Sequence, residues 1–312
     1  MNETYLITGG AGFIGSHLVE SLVRHGRRVR VLDDFSTGLR ANLAHIDPAP
    51  EIVEGDVADA PVVQRAVQGV RVLFHLAALA SVQRSLEAPE DTHRVCAGGT
   101  LNVLDAARRA GVRRVVYAGS SSAYGIPAGA VQTEGDPLAP LSPYAAAKLA
   151  GELYAQSFTA AFGLETVRLR FFNIFGPRQR ADSPYSGVIA LFTAALSTGR
   201  TPTIYGDGLQ TRDFTFVTDV VQALLRAAET PGISGRVYNI GTGRGTSILE
   251  LVAALNRQLG TNIVPQHAPA RAGDVPHSRA DISLARRELG YEPAVAFEEG
   301  LAQTLAWYRQ QI

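Results

Sequence analysis

Lys148 is the only lysine in the chain; every other basic side chain among the 29 Lys+Arg residues is arginine. It stands four residues after Tyr144, within Ser142-Pro-Tyr-Ala-Ala-Ala-Lys148. On a helix, positions i and i+4 share a face, so a phenol and an ammonium would project together. A neighbouring cation favours the phenolate and draws a tyrosine pKa down from about 10. Arginine would put a wide planar fork where this site has a compact point charge. The pair reads as a proton carrier beside a fixed cation; the bland alternative is a chance Tyr/Lys pair on a surface helix. A second group of residues could hold an anion. Tyr5–Thr8 reads as a strand and runs directly into Gly9-Gly10-Ala11-Gly12-Phe13-Ile14-Gly15 and then a helix. Gly9 permits the tight turn, Gly12 lets backbone approach a pyrophosphate, and Gly15 lets helix pack on strand, with the helix N-terminus attracting phosphates. Asp33 ends the next apolar run, where a carboxylate accepts hydrogen bonds from ribose hydroxyls and repels a 2′-phosphate. That predicts NAD in preference to NADP; Asp34 adds to the repulsion and Arg40 leaves one cation nearby. Asp56, in Gly55-Asp56-Val57, suits an adenine amino group and equally a plain turn aspartate.

These side chains need a scaffold. Tyr5–Thr8, Val29–Leu32, Glu51–Glu54, Val70–Leu76, Val115–Ala118 and Thr166–Arg170 read as buried strands. Phe13–His25, Val62–Gln68, Thr92–Ala110 and Pro143–Phe162 read as helices between them. Such alternation indicates βαβ units and a parallel sheet covered on both faces. After Asn173 the loops lengthen, and helices are expected at Gly187–Ser197, Val217–Glu229, Ser247–Leu259 and Phe297–Gln310, with a short strand at Arg236–Ile240. The expected class is α/β: a Rossmann-type doubly wound parallel sheet over residues 1–172 and a smaller α/β substrate domain over 173–312. Segments near 213–242 are expected to return to the first domain.

Composition narrows the function. The chain has 312 residues, 46% hydrophobic and 19% charged, with a formal net charge of zero. Those values fit a globular protein with a real core and give no argument for nucleic acid or an anionic membrane as partner. The single cysteine, Cys96, excludes an internal disulfide. The scattered histidines form no His-x-x-x-His pair with a nearby acid, which argues against a metal hydrolase. The first residues lack a basic and apolar leader pattern, and the longest apolar stretch, near Val188 to Leu196, is too short to span a bilayer, so cytoplasm is the expected compartment.

Taken together, the motifs resemble the extended short-chain dehydrogenase/reductase family, and within it the nucleotide-sugar 4-epimerases. The first half contributes the glycine motif, His75-Leu-Ala-Ala78, Ser120-Ser-Ser-Ala-Tyr-Gly125 and the Tyr144/Lys148 pair. The second half contributes Arg170-Phe-Phe-Asn-Ile-Phe-Gly-Pro-Arg178, Gly206-Asp-Gly-Leu-Gln-Thr-Arg-Asp213 and Arg271-Ala-Gly-Asp274. The resemblance implies Tyr144 as catalytic base and acid, Lys148 on the nicotinamide ribose, and Ser120 as the catalytic Ser/Thr with Ser122 sharing its role. It implies NAD contacts from Gly9, Gly12, Phe13, Ile14, Gly15, Asp33, Asp56, Val57, Leu76, Ala77 and Ala78. Asn173, Arg212 and Arg271 match residues that bind the nucleoside diphosphate, Asp274 a ribose or arginine partner, and Tyr205 a residue facing the uracil. The family usually carries asparagine at the position of Cys96, so a weakened local contact to the cofactor is expected. A homodimer through Thr92–Ala110 and Pro143–Phe162 is implied by the same analogy.

The reaction follows from what stands after Ser120. In the family's sugar 4,6-dehydratases an acidic residue follows the catalytic Ser/Thr, and a glutamate in that region also marks the decarboxylases; here Ser121 and Ser122 stand instead. Neither hydroxyl can serve as an acid or base near pH 7, so elimination lacks its catalyst. Oxidation at a hydroxyl and its reversal remain, which is epimerisation at C4 of a UDP-hexose. Where epimerases confined to plain hexoses have a bulky tyrosine, this chain has Ser278, which predicts room for an N-acetyl group. UDP-glucuronate is a competing substrate, and a NAD-sensing binding protein is the reading outside enzymes.

Overall fold

The computed structural model describes residues 3–127, 129–180, 187–270 and 275–310. Its strands are β1 (Thr4–Thr8), β2 (Arg28–Asp33), β3 (Glu51–Glu54), β4 (Val70–His75), β5 (Arg114–Ser120), β6 (Glu165–Phe171), β7 (Asn173–Phe175), β8 (Thr203–Tyr205), β9 (Thr211–Arg212), β10 (Phe214–Phe216), β11 (Val237–Ile240), β12 (Thr246–Ser247), β13 (Gln266–Ala268) and β14 (His277–Ser278). Its helices are α1 (Phe13–Arg24), α2 (Ala60–Ala66), α3 (Val82–Glu87), α4 (Pro89–Thr92), α5 (Gly99–Arg109), α6 (Pro143–Phe162), α7 (Val188–Ser197), α8 (Val217–Glu229), α9 (Ile248–Leu259), α10 (Ser283–Leu289) and α11 (Phe297–Arg309).

Seven parallel strands form the central sheet in the order β11-β6-β5-β4-β1-β2-β3. The order reverses between β1 and β4, the place where doubly wound sheets leave a crevice beyond the strands' carboxyl ends. The apolar runs lie on both faces because side chains alternate. Leu6, Leu32, Leu73 and Val115 join the core under α2, α5 and α6. Tyr5, Ile7, Val31, Val72, Phe74 and Val116 join the core under α1, α8 and α10. A third core, around Phe175, Phe214 and Phe216, lies with α7, α9 and α11.

The expected strands and helices of the first half are all present, with ends shifted by one or two residues, save one. Thr92–Ala110 is not a continuous α-helix: a π turn over His93–Gly98 separates α4 from α5. Apolar periodicity does not distinguish the wider turn. In the second half β11 pairs with β6 of the main sheet, and β10, immediately before α8, pairs with β7. No sequence signal marked α3, α4 or α10, nor the two- and three-residue strands β7, β8, β9, β10, β12, β13 and β14, which are too short to carry a period.

α6 shows how local chemistry sets a site element. Ser142 caps it by accepting from Ala145 N–H at 3.1 Å, Pro143 opens the first turn, and Gly163 ends it in the left-handed region. Gly151 lets α6 close on β5, since a Cβ there would lie 2.4 Å from the Tyr117 hydroxyl oxygen. That hydroxyl donates to Lys148 O at 2.8 Å and fixes the helix rotation. Among the described residues no helix is long and apolar enough to cross a membrane.

Candidate active site

A cleft of about 570 Å³ opens at the β1/β4 reversal. Gly9, Gly12, Phe13, Ile14, Gly15, Asp33, Asp56, Val57, Leu76, Ala77, Ala78, Tyr144 and Lys148 all line it. One cavity thus collects the residues that the sequence assigned to a dinucleotide and to a proton carrier. Gly12 caps α1 without a side-chain hydrogen bond, and the first turn carries no acid, so its N–H groups keep their positive end for an anion.

Asp33 is buried, and burial raises its pKa against two opposing hydrogen bonds. Phe35 N–H donates to its Oδ1 at 2.9 Å and Ala11 N–H to its Oδ2 at 2.8 Å. The carboxylate therefore ties the glycine loop to the end of β2 while lining the cleft. Arg40 turns away to Glu54 and lies 4.0 Å from the Phe35 ring centroid, so its charge is engaged. Asp56 is a turn aspartate on the cleft wall: Oδ1 accepts from Ala58 N–H at 2.8 Å, and Oδ2 pairs with Arg94 at 2.6 Å.

The Tyr144/Lys148 geometry corrects one expectation. Tyr144 is not lowered; burial pushes its pKa up to about 12, Cys96 adds to the rise, and a hydrogen bond from Ser120 opposes it. Lys148 Nζ sits over the Tyr117 ring, 4.6 Å from the centroid. Removal from water outweighs the i+4 cation. Ser120, at the end of β5, has its Oγ 2.8 Å from Ser122 Oγ and accepts from Ser122 N–H at 3.2 Å. The two serines act as one hydroxyl pair beside the phenol.

His75 is locked beneath this site. Thr100 donates its hydroxyl to Cys96 O at 2.6 Å, so its oxygen is left to accept from His75 Nε2–H at 2.9 Å. His75 Nδ1 then accepts the Thr8 hydroxyl at 2.7 Å. Burial, then Lys148, drives its pKa down to about 3, so the ring is a neutral strut.

In the second half, Ser278 of β14 and Arg212 of β9 are register partners, and Arg212 also pairs with Thr246 of β12. Asn173 N–H donates to Asp213 O at 3.0 Å, and Tyr205 stands partly exposed on β8. None of Ser122, Asn173, Tyr205, Arg212 or Ser278 lines the dinucleotide cleft. Arg271 and Asp274 lie outside the described residues. Among the described residues no cluster of His, Cys, Asp and Glu could hold a metal ion.

Sequence reasoning missed Gln179 and Glu152 and gave Arg178 no place on the dinucleotide cleft. Arg178 and Gln179 line the cleft, and Arg178 takes a left-handed φ of 68° to reach Glu20 of α1. The Gly176-Pro177 turn before it was the available signal. Glu152, four residues past Lys148, carries a buried ion pair with Arg170, and its place on the same helix face was legible.

Comparison with known proteins gives the same direction. The model of the NAD dependent epimerase/dehydratase family matches residues 5–241. The UDP-glucose 4-epimerase of Mycolicibacterium smegmatis is 42% identical over 98% of this chain and 98% of its own length. A UDP-N-acetylglucosamine 4-epimerase from Methanobrevibacter ruminantium, solved with UDP-N-acetylmuramic acid, superposes with a TM-score of 0.95 at 35% identity, covering 100% of this chain and 99% of that one. The UDP-glucose 4-epimerase of Thermotoga maritima, solved with UDP-glucose, gives 0.94 at 36% identity and 99% coverage of both.

Proposed function

This chain belongs to the NAD dependent epimerase/dehydratase family, and on that premise we propose that it epimerises C4 of a UDP-hexose through a transient 4-keto sugar. The observation that carries the reading is the meeting of Tyr144 and Lys148 at one cleft, with Ser120 hydrogen-bonded to Tyr144 and serines and no acid following Ser120. Gly12, with its backbone facing the cleft at the start of α1, and Asp33 fit a pyrophosphate and an adenosine ribose. NAD, when bound there, supplies reversible hydride exchange at C4 and a positively charged ring.

Tyr144 takes the proton of the 4-hydroxyl and returns it to O4 once C4 has been reduced on its opposite face. Ser120, joined to Ser122, orients that hydroxyl and stabilises the oxygen as charge develops. Burial makes Tyr144 a phenol at rest, so the step depends on positive charge beside it. Lys148, lining the same cleft, is the chain's own cation there. Asn173, Tyr205, Arg212, Arg271, Asp274 and Ser278 hold the nucleoside diphosphate and admit both plain and N-acetylated hexoses. This assigns dinucleotide binding to residues 1–172, with 213–242 returning to them, and sugar-nucleotide binding to 173–312. UDP-glucuronate is the second substrate to test, because the arginines at 178 and 180 line the cleft. A cytoplasmic homodimer through α5 and α6 completes the reading, supported by Leu101, Leu153 and Phe162 exposed on those helices.

Purified protein is incubated separately with UDP-Glc, UDP-GlcNAc and UDP-GlcA, without added cofactor, and C4 epimers are followed by NMR. Conversion of one of the first two supports the proposal. No conversion of any of the three, even after NAD is added, overturns it.

A further inference from the structure

Four ionisable side chains are buried together beneath the cleft, and their charges do not balance. Lys148, Arg168 and Arg170 are each no more than 5% exposed, and Glu152 is 2% exposed. Glu152 lies one turn beyond Lys148 on the buried face of α6. Arg170 of β6 grips it with two bonds, Nε to Oε2 at 3.0 Å and Nη2 to Oε1 at 2.6 Å. Arg168, two residues back on β6, lies 4.0 Å from the same carboxylate and donates to Gln156 Oε1 at 2.9 Å. Arg170 holds the one carboxylate, Arg168 flanks it, and Lys148 stands one turn away on the same helix face, so three buried cations stand against one buried anion. Arginine does not give up its proton in a protein, whereas a buried lysine does so readily. Any loss of negative charge here therefore falls on Lys148.

The other groups facing Lys148 supply no anion near neutral pH. Burial raises Tyr117 of β5 and Tyr144 of α6 well into the phenol form. It raises the Cys96 thiol of the π turn, and it holds His75 of β4 neutral. Burial lowers the pKa of Lys148 itself, opposed by Cys96 and then Glu152. A thiol above its ordinary range is uncharged when the lysine must carry its proton, which leaves Glu152. For Arg170, burial works against the charge and the Glu152 hydrogen bonds more than offset it, so the carboxylate is fixed where it stands.

We propose that Glu152, oriented by Arg170, is a positioning residue that keeps Lys148 an ammonium inside the buried wall of the active site. The proposal concerns this chain's own charges; its catalytic consequence rests on the function proposed above for Lys148. The Tyr124 hydroxyl joins the same unit: it accepts from Arg170 Nη1 at 2.8 Å and donates to Asn239 Oδ1 at 2.6 Å. Tyr124 ends the turn that starts at Ser120, so the carboxylate that charges the lysine also helps fix the serine loop.

The single lysine makes a direct test simple, since lysine labelled at Cε for carbon NMR gives one side-chain signal with no assignment. The signal of the full-length holoenzyme is titrated in the wild type, in Glu152→Gln and in the double variant Glu152→Met with Arg170→Met. The double variant covers the case in which one unpaired arginine prevents folding; it removes one cation with the carboxylate, so its midpoint is expected to fall by less. In folded Glu152→Gln the lysine midpoint is expected to move to lower pH, and the alkaline limb of kcat to move with it. A midpoint unchanged in folded Glu152→Gln, or raised in the double variant, overturns the proposal. A midpoint that falls while the kcat limb stays in place supports the hold of Glu152 on the charge and overturns the catalytic role given to Lys148.

Discussion

Gly12 and Gly15 belong to one motif, yet the structure assigns them separate consequences. A Cβ on Gly15 would lie 2.1 Å from Gly9 O and 2.8 Å from Gly10 Cα, both backbone atoms, where ordinary contact starts at 3.4 Å. In Gly15→Ala, α1 or the loop must therefore retreat by roughly 1.3 Å, the difference between those distances. Forcing atoms into packed structure costs up to about 3 kcal/mol, and backbone on both sides puts this site at the upper end. For a chain of 312 residues that lowers Tm by about 5 °C. The same retreat carries the α1 N–H groups off a bound pyrophosphate. A hydrogen bond to a charged group contributes about 1.5–3 kcal/mol. Losing one weakens NAD roughly 10- to 150-fold. Gly12→Ala differs, since its Cβ would meet only Gly9 O, at 3.2 Å. The fold should lose less than about 1 kcal/mol, while the methyl intrudes where the pyrophosphate approaches and NAD affinity falls. Thermal denaturation of the two variants, with NAD binding by calorimetry, separates the cases. An unchanged Tm in Gly15→Ala would refute the packing argument. Unchanged NAD affinity in Gly12→Ala would refute the pyrophosphate placement.

Tyr144→Phe should remove most epimerase activity while keeping Tm within a few degrees of wild type; a normal rate would sink its assignment. His75 is pushed down to about 3 in the fold and titrates near 6.5 when unfolded. Its stabilising share is whole above pH 6.5 and declines as pH falls, by roughly 2 kcal/mol at pH 5. Urea unfolding at the two pH values checks this, and His75→Gln should lessen the pH dependence by one proton. Asp213 accepts from Thr242 N–H, Thr242 Oγ1, Gly243 N–H and Ala280 N–H at 2.7–3.1 Å while fully buried. Asp213→Ala should therefore cost at least about 3 kcal/mol in urea unfolding, and a loss under about 1 would refute its role as a hub. Ser278→Tyr should abolish turnover of UDP-GlcNAc and retain that of UDP-Glc, and equal loss of both would remove the size argument.

Local pattern sufficed for part of this protein. The parallel sheet was legible because strands buried on both faces are short apolar runs between amphipathic helices, and Ser142-Pro143 with Gly163 set the ends of α6 by local chemistry. Many of the residues that line the cleft were legible too, since the glycine turn, the helix cap and the carboxylate ending β2 depend on residues near in sequence. Tertiary packing decided the rest. Spacing put Tyr144 and Lys148 on one face and suggested a lowered phenol, but burial sets the phenol high. Desolvation depends on everything that surrounds a group, and no neighbour in sequence encodes it. The π turn at Cys96, the left-handed Arg178 that reaches α1, and the pairing of Arg212 with Ser278 each join segments far apart in the chain. The imbalance around Glu152 is of that kind: its sequence shows one glutamate a turn after one lysine, and only β6, folded against α6, adds the two arginines that give the carboxylate its consequence.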